Sequence, residues 1–65
     1  MVVIVNGEQQ TVEGTTMLEL LEQLKIDPRR VAVELNLDIL PKGDYATTLL
    51  SDGDQIEIVQ FVGGG

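Results

Sequence analysis

Val2-Val3-Ile4-Val5-Asn6-Gly7 sets the frame that the rest of the chain has to fit. Four consecutive apolar residues of high strand preference suit a strand covered at least partly on both faces. Asn6-Gly7 follows directly and predicts a two-residue type I′ hairpin, because both central residues of that turn take positive φ. Residues 8–12 therefore return antiparallel. Pairing Val5 with Glu8 places Val3 and Val5 on one face with Val12, and Val2 and Ile4 on the other.

Beyond the hairpin the periodicity changes. Thr16 with Glu19 three residues later forms a capping box. Met17, Leu20, Leu21 and Leu24 then recur at i, i+3, i+4 and i+7, which gives a helix with one apolar face. Glu19, Glu22 and Lys25 read as its solvated side. Asp27-Pro28 is expected to end the helix, since a residue before proline disfavours the α region. Val31 to Leu35 alternates as a strand does, with Val31, Val33 and Leu35 inward. Asn36 to Asp38 is read as a turn and Ile39-Leu40 as a short strand before Pro41. Residues 42–50 are expected to form a loop or short helical turn around Tyr45, with Leu49 and Leu50 closing the core. Asp52-Gly53-Asp54 is a turn, and Gln55 to Phe61 is the last strand.

The order is hairpin, helix, strand, short strand, strand. A single helix packed across a mixed sheet buries one face of each. The first and last strands carry the most aliphatic residues and are placed centrally. The chain between them is long enough for a crossover, so they are parallel neighbours. The expected architecture is an α+β, ubiquitin-like β-grasp: a mixed sheet of four to five strands packed on one helix. Residues 1–62 form that domain, and Gly63, Gly64 and Gly65 form a flexible tail.

Composition narrows the chemistry. A chain of 65 residues makes one domain with a small core. It has no Cys and no His, which removes disulfides, thiol nucleophiles, imidazole bases and nearly all zinc or transition-metal chemistry. The net charge of −7 argues against nucleic acid and fits a partner with a basic face. No apolar run approaches the length of a bilayer span. The N-terminus lacks the basic and apolar regions of a signal peptide, so no membrane association is expected and the cytoplasm is the default location.

Alternation in the last strand separates two sets of residues. Ile56 and Ile58 should face the helix, while Glu57, Val59 and Phe61 face the open side of the sheet. Ile4 is expected to join Val59 and Phe61 there, leaving an apolar docking patch that is rimmed by Glu57 and leads through Val62 to the tail. The alternative is that Phe61 folds over the sheet edge to fill the core. Asp52 and Asp54 flank a glycine at the mouth of a strand and read as a tight turn rather than a cation site. Lys25, Arg29, Arg30 and Lys42 are too few and too scattered for a phosphate cradle, and no P-loop or dinucleotide motif is present. No metal site is expected.

A β-grasp ending in bare glycine resembles the ubiquitin-like sulfur carriers of bacteria, above all the ThiS carriers of thiamin thiazole synthesis. The resemblance covers essentially the whole chain. It rests on the Asn6-Gly7 hairpin after the first strand and on Leu20-Leu21-Glu22-Gln23-Leu24 in the helix. Val33 to Asn36 leading to Ile39-Leu40-Pro41, Asp52-Gly53-Asp54-Gln55-Ile56, and the run Val59 to Gly65 complete it. The small subunit of molybdopterin synthase shares the fold and ending. It usually has a longer chain and a proline-bearing approach to the tail, both missing here, which favours the thiamin carriers.

The resemblance implies a protein cosubstrate rather than an enzyme, with no catalytic side chain and no bound cofactor. A ThiF-like adenylating enzyme would supply ATP, and the Gly65 carboxylate would become an acyl adenylate. A persulfide sulfur, delivered through a cysteine desulfurase, would displace AMP and leave a terminal thiocarboxylate. A ThiG-like thiazole synthase would take that sulfur. Val62 to Gly65 extends about 13 Å at ~3.3 Å per residue, and Gly63 and Gly64 leave room for a narrow channel. Three other readings stay open: a carrier for molybdopterin or tRNA thiolation, a ubiquitin-like modifier joined to lysines, and an interaction module whose glycines are incidental.

Overall fold

A computed structural model describes residues 1–61. It has one five-stranded sheet in the order β2-β1-β5-β3-β4. The strands are β1 (Val2–Val5), β2 (Glu8–Thr11), β3 (Val31–Leu35), β4 (Asp38–Leu40) and β5 (Gln55–Gln60). One helix, α1 (Met17–Gln23), covers a single face. This is the expected β-grasp. The first and last strands are parallel neighbours, with Ile4 level with Gln55 and Val5 level with Ile56.

The opening hairpin has the expected register, Val5 opposite Glu8. Asn6 and Gly7 supply the positive φ values of its turn, 49° and 83°. As the pleat requires, Val3, Val5 and Val12 are buried together, while Val2 is exposed and Ile4 half-buried on the opposite face.

The start of α1 follows the sequence closely. The Thr16 hydroxyl accepts from the Glu19 N–H at 3.2 Å, and Glu19 Oε1 accepts from the backbone N–H groups of Thr15 and Thr16 at 2.7 and 3.0 Å. These backbone donors, Thr15 first, hold the Glu19 carboxyl below its ordinary pKa. Met17, Leu20 and Leu21 are wholly buried, and Leu24 packs half-buried against them.

The helix ends earlier than Asp27-Pro28 suggests. Its last residue is Gln23, and Lys25 turns the chain with a φ of 60°. The Lys25 N–H donates to the Glu22 carbonyl at 3.0 Å and the Ile26 N–H to the Leu21 carbonyl at 2.9 Å. That pair of bonds is a Schellman closure, which satisfies two carbonyls a helix end would otherwise leave open and tucks Ile26 against the core. The position normally held by glycine is a lysine, so the stop carries no sequence signal. Pro28 starts the next element instead, a 3-10 turn from Pro28 to Arg30 capped by Asp27.

Two further expectations change in detail. The turn between β3 and β4 is only Asn36-Leu37, both at positive φ, and Asp38 already belongs to β4. In the segment after Pro41, a 3-10 turn spans Lys42–Asp44 and delivers Tyr45 into the core. The Tyr45 hydroxyl donates to the Val31 carbonyl at 3.3 Å. Leu50 is buried but Leu49 is 70% exposed, so Leu49 does not close the core. The reason is local: the Leu50 N–H donates to the Thr15 carbonyl, and Leu49 bridges Thr16 beside it. Extended neighbours point to opposite sides, so only one of the pair reaches inward.

Gly14 makes the capping box possible. A Cβ there would lie 2.5 Å from the Glu19 Cβ, in the space the Glu19 side chain crosses to reach Thr15 and Thr16. Gly14→Ala is expected to displace Glu19 and cost about 1 kcal/mol, the ordinary value of a lost cap. Chemical denaturation and NMR titration check it together: stability falls and the Glu19 pKa rises toward its ordinary value.

Candidate functional site

The feature that positions everything downstream is the seating of β5 between β1 and β3. On one side, the Ile4 N–H donates to the Asp54 carbonyl at 2.8 Å and the Asn6 N–H to the Ile56 carbonyl at 2.9 Å. There β1 has ended, and the Asn6 side chain continues the ladder. Its Oδ1 accepts from the Ile58 N–H at 2.7 Å, and its Nδ2 donates to the Ile58 carbonyl at 3.1 Å. A primary amide presents the same donor and acceptor as a peptide, so it substitutes for one further strand residue.

The other hairpin repeats the device. The Asn36 N–H donates to the Gln55 carbonyl at 2.7 Å. Its Oδ1 accepts from the Gln55 N–H at 3.0 Å, and its Nδ2 donates to Asp54 Oδ1 at 3.0 Å. Asn6 and Asn36 occupy the first position of their turns in the left-handed conformation that asparagine tolerates. From sequence, Asn6 reads only as a turn former and Asn36 as part of a turn. Their second role depends on two hairpins lying on either side of one strand, which only the folded topology brings about.

Asp52 and Asp54 are consumed by the turn that starts β5. Asp52 Oδ1 accepts from the Val2 N–H at 2.8 Å, and Asp54 Oδ2 accepts from the Ser51 N–H at 2.7 Å. Gly53, at a φ of 86°, donates its N–H to the Val2 carbonyl. The turn reading of these two carboxylates is therefore correct. Among the described residues, no group of three or more metal-ligating side chains occurs.

Along β5 the two faces separate as expected. Ile56 and Ile58 are buried under α1, whereas Glu57, Val59 and Phe61 are exposed. Val59 lies opposite Ala32, and Ile39 lies on β4 one register step away, opposite Glu34. Val59, Ala32, Ile39 and Phe61 thus share the open face. Ala32 and Ile39 are its additional members, and their alternation with Val31, Val33 and Leu40 was the signal for them. Ile4 lies on the same face, but it is level with Gln55, four residues before Val59, about 13 Å along the strand. It does not adjoin the patch. Glu57 stands directly opposite Glu34. Facing like charges in a sheet are unfavourable, so this pair is a local cost that an external cation would relieve.

Beyond β5, two 3-10 turns of the chain, Pro28–Arg30 and Lys42–Asp44, meet at Phe61. Its N–H donates to the Arg30 carbonyl at 2.9 Å. The Lys42 ammonium donates to the Arg29 carbonyl at 2.7 Å and stands 4.8 Å from the centre of the Phe61 ring. Phe61 is 55% exposed and lies outside the core, so it does not fold inward to fill it. Three of the four cations of the chain, Arg29, Arg30 and Lys42, therefore adjoin the end of β5. They do not form a phosphate cradle. Asp27 engages Arg29 at 3.0 Å and Arg30 at 3.7 Å. The hydrogen bonds from Arg29 bring the Asp27 pKa down to about 2. Val62, Gly63, Gly64 and Gly65, the remaining docking and tail residues expected from sequence, lie outside the described residues.

Comparison with known proteins adds independent information. A family model described as the ThiS family matches residues 3–65. The sulfur carrier protein ThiS of Escherichia coli is 39% identical over 56 residues, which is 86% of this chain and 85% of that one. A thiazole synthase of Paramagnetospirillum magneticum is 47% identical over 66 aligned residues, covering all of this chain. The chain spans only about a fifth of the length of the thiazole synthases it matches, 20% and 19%. The crystal structure of a thiamine biosynthesis protein (ThiS) from Geobacter metallireducens superposes with a TM-score of 0.83 at 39% identity, covering 100% of both chains.

The exposed setting of Phe61 leads to a test. Phe61→Ala is expected to lower stability by less than ~1 kcal/mol, because little ring surface is withdrawn from water. Thermal denaturation decides. A loss of ~3 kcal/mol or more, typical of an emptied core position, contradicts this placement.

Proposed function

Because the chain belongs to the ThiS family, we propose that it is a sulfur carrier of thiamin biosynthesis and that the Gly65 α-carboxylate is the group that carries the sulfur. The observation that supports this most strongly is the family match through residue 65 on a β-grasp body. Without Cys or His, the chain has few candidates for a nucleophile or base of its own. It acts as a cosubstrate, and its partners perform the chemistry.

The steps follow from what a carboxylate can do. At neutral pH it is an anion and a poor electrophile. On a ThiF-like adenylating enzyme it attacks the α-phosphorus of ATP, and pyrophosphate departs. The acyl adenylate then loses AMP to the terminal sulfur of a persulfide that a cysteine desulfurase supplies. A thiolate then attacks the enzyme-side sulfur of the resulting acyl disulfide, forming a disulfide with it and releasing the terminal thiocarboxylate. A thiazole synthase consumes it. The relatives named thiazole synthase support that last partnership, since a matching segment forms part of their own chains. ATP is used by the partner and is not a cofactor of this chain. We place these steps in the cytoplasm. Among the described residues, no helix is long and apolar enough to cross a membrane.

Docking uses the open face near the end of β5. Glu57, Val59, Phe61 and Val62 form the contact, and Ile4, level with Gln55, lies outside it. The Glu57–Glu34 pair favours a basic side chain on the partner, which would remove the repulsion between them. Gly63 and Gly64 pass through the partner's channel, where the absence of side chains keeps the tail narrow.

Intact mass spectrometry of protein from sulfur-replete cells tests the function. An oxygen-to-sulfur shift at Gly65 is expected. Isopeptide conjugates to lysine in its place would identify a modifier instead. Gly64→Val tests the channel: it is expected to leave the melting temperature unchanged and to reduce ATP-dependent pyrophosphate release on the adenylating enzyme at least tenfold. Normal release contradicts a narrow channel.

A further inference from the structure

We propose that Lys42 is a positioning residue that fixes where the chain leaves the folded body, a reading that rests on the carrier function above. The argument starts from the end of β5. Past Gln60 the strand ladder stops, and among the described residues one backbone hydrogen bond, from the Phe61 N–H to the Arg30 carbonyl, continues it. A single backbone bond of this kind holds the main chain of Phe61 and leaves its ring unconstrained.

Lys42 adds the second constraint. Its ammonium is tied to the Arg29 carbonyl at 2.7 Å, which anchors it to the same 3-10 turn that accepts the Phe61 N–H. From there it lies 4.8 Å from the Phe61 ring centroid, within the range of a cation–π contact. Backbone and ring of Phe61 are thus held by adjacent residues of one turn, the second through Lys42. That turn is itself stiffened by Asp27, which caps it through the Arg29 N–H at 2.9 Å. Pro41, directly before Lys42, fixes the approach of the segment that carries the lysine.

The chemistry explains why a lysine serves here. It must donate to a carbonyl and present a cation to a ring face at the same time. Among the described residues, no carboxylate forms an ion pair with Lys42, so its charge is available to the ring. The consequence for the reaction is entropic. A terminus leaving from a fixed point with a fixed direction loses less freedom on entering a partner's channel. The effect falls on how readily the carrier is engaged, rather than on the chemical step after engagement.

The test uses the full-length carrier with Lys42→Met, Lys42→Arg, Phe61→Leu, and the Lys42→Met, Phe61→Leu double variant. Two quantities are read: ATP–pyrophosphate exchange by a ThiF-type adenylating enzyme as carrier concentration is varied, and amide hydrogen exchange at Phe61 in the free carrier. Lys42→Met is expected to raise the KM for carrier about two- to fivefold, the worth of an exposed cation–π contact. It should leave kcat unchanged and speed exchange at Phe61. Lys42→Arg should restore both readouts, and the double variant should be no worse than Phe61→Leu alone. Wild-type KM and wild-type Phe61 protection in Lys42→Met overturn the proposal. So does a raised KM with Phe61 protection intact, which would place Lys42 in direct contact with the partner. If wild-type carrier supports no exchange at all, the carrier function fails instead, and Phe61 protection alone then decides whether Lys42 holds the exit.

Discussion

Two asparagine amides hold the central strand of this protein in place. β5 has strands on both sides, yet β1 contributes only four residues and stops before β5 is half paired. Asn6 supplies the missing contacts at Ile58, and on the opposite side the Asn36 amide accepts from the Gln55 N–H while donating to the Asp54 side chain. Each bond is worth only about 1 kcal/mol net. Their importance is geometric: the Asn6 amide carries the hydrogen bonding on the β1 side of β5 as far as Ile58, while β3 pairs the strand through Gln60. The hairpins that place these asparagines depend on left-handed turns, so turn chemistry and strand seating are one constraint.

From that seating the division of labour follows. The inner face of β5, through Ile56 and Ile58, locks the strand to α1. Its outer face carries Glu57 and Val59 into solvent, and its end meets the turn of Arg29 and Arg30. The body contains the elements of a handle: a small, rigid core, a one-sided sheet, and an exit held by backbone and ring. In the proposed carrier role, reactivity lies outside that body, at a main-chain carboxylate that partners activate. A chain without Cys or His can serve such a role because nothing in it needs to titrate near neutrality.

Much of this was legible from residue order. Asn6-Gly7 fixed the first hairpin and its register, Thr16 with Glu19 fixed the helix start, and the alternation from Gln55 fixed which side chains of β5 face inward. The parallel pairing of first and last strands followed from their composition and the long connection between them. The misreadings share a cause. The helix stop at Lys25 uses a residue without glycine's signature, and the bonds that reward it are visible only once the turn has formed. Leu49 and Leu50 look alike in sequence, but a bond from Leu50 to Thr15 decides which one points inward. Ile4 has the right face and the wrong level, a matter of parallel register that alternation cannot supply. The gathering of Arg29, Arg30 and Lys42 around Phe61 joins residues far apart in the chain, and charge spacing alone gave no indication of it.

The most direct test acts on Asn6. Asn6→Gly keeps the left-handed turn, since glycine adopts positive φ freely, and removes only the amide that extends the ladder. Amide hydrogen exchange is then followed along residues 55–61. The account predicts that the Ile58 N–H loses its protection while Val5 still pairs with Glu8 and the core remains folded. If Ile58 stays as protected in the variant as in the parent, the asparagine amide does not seat the strand and the account is wrong.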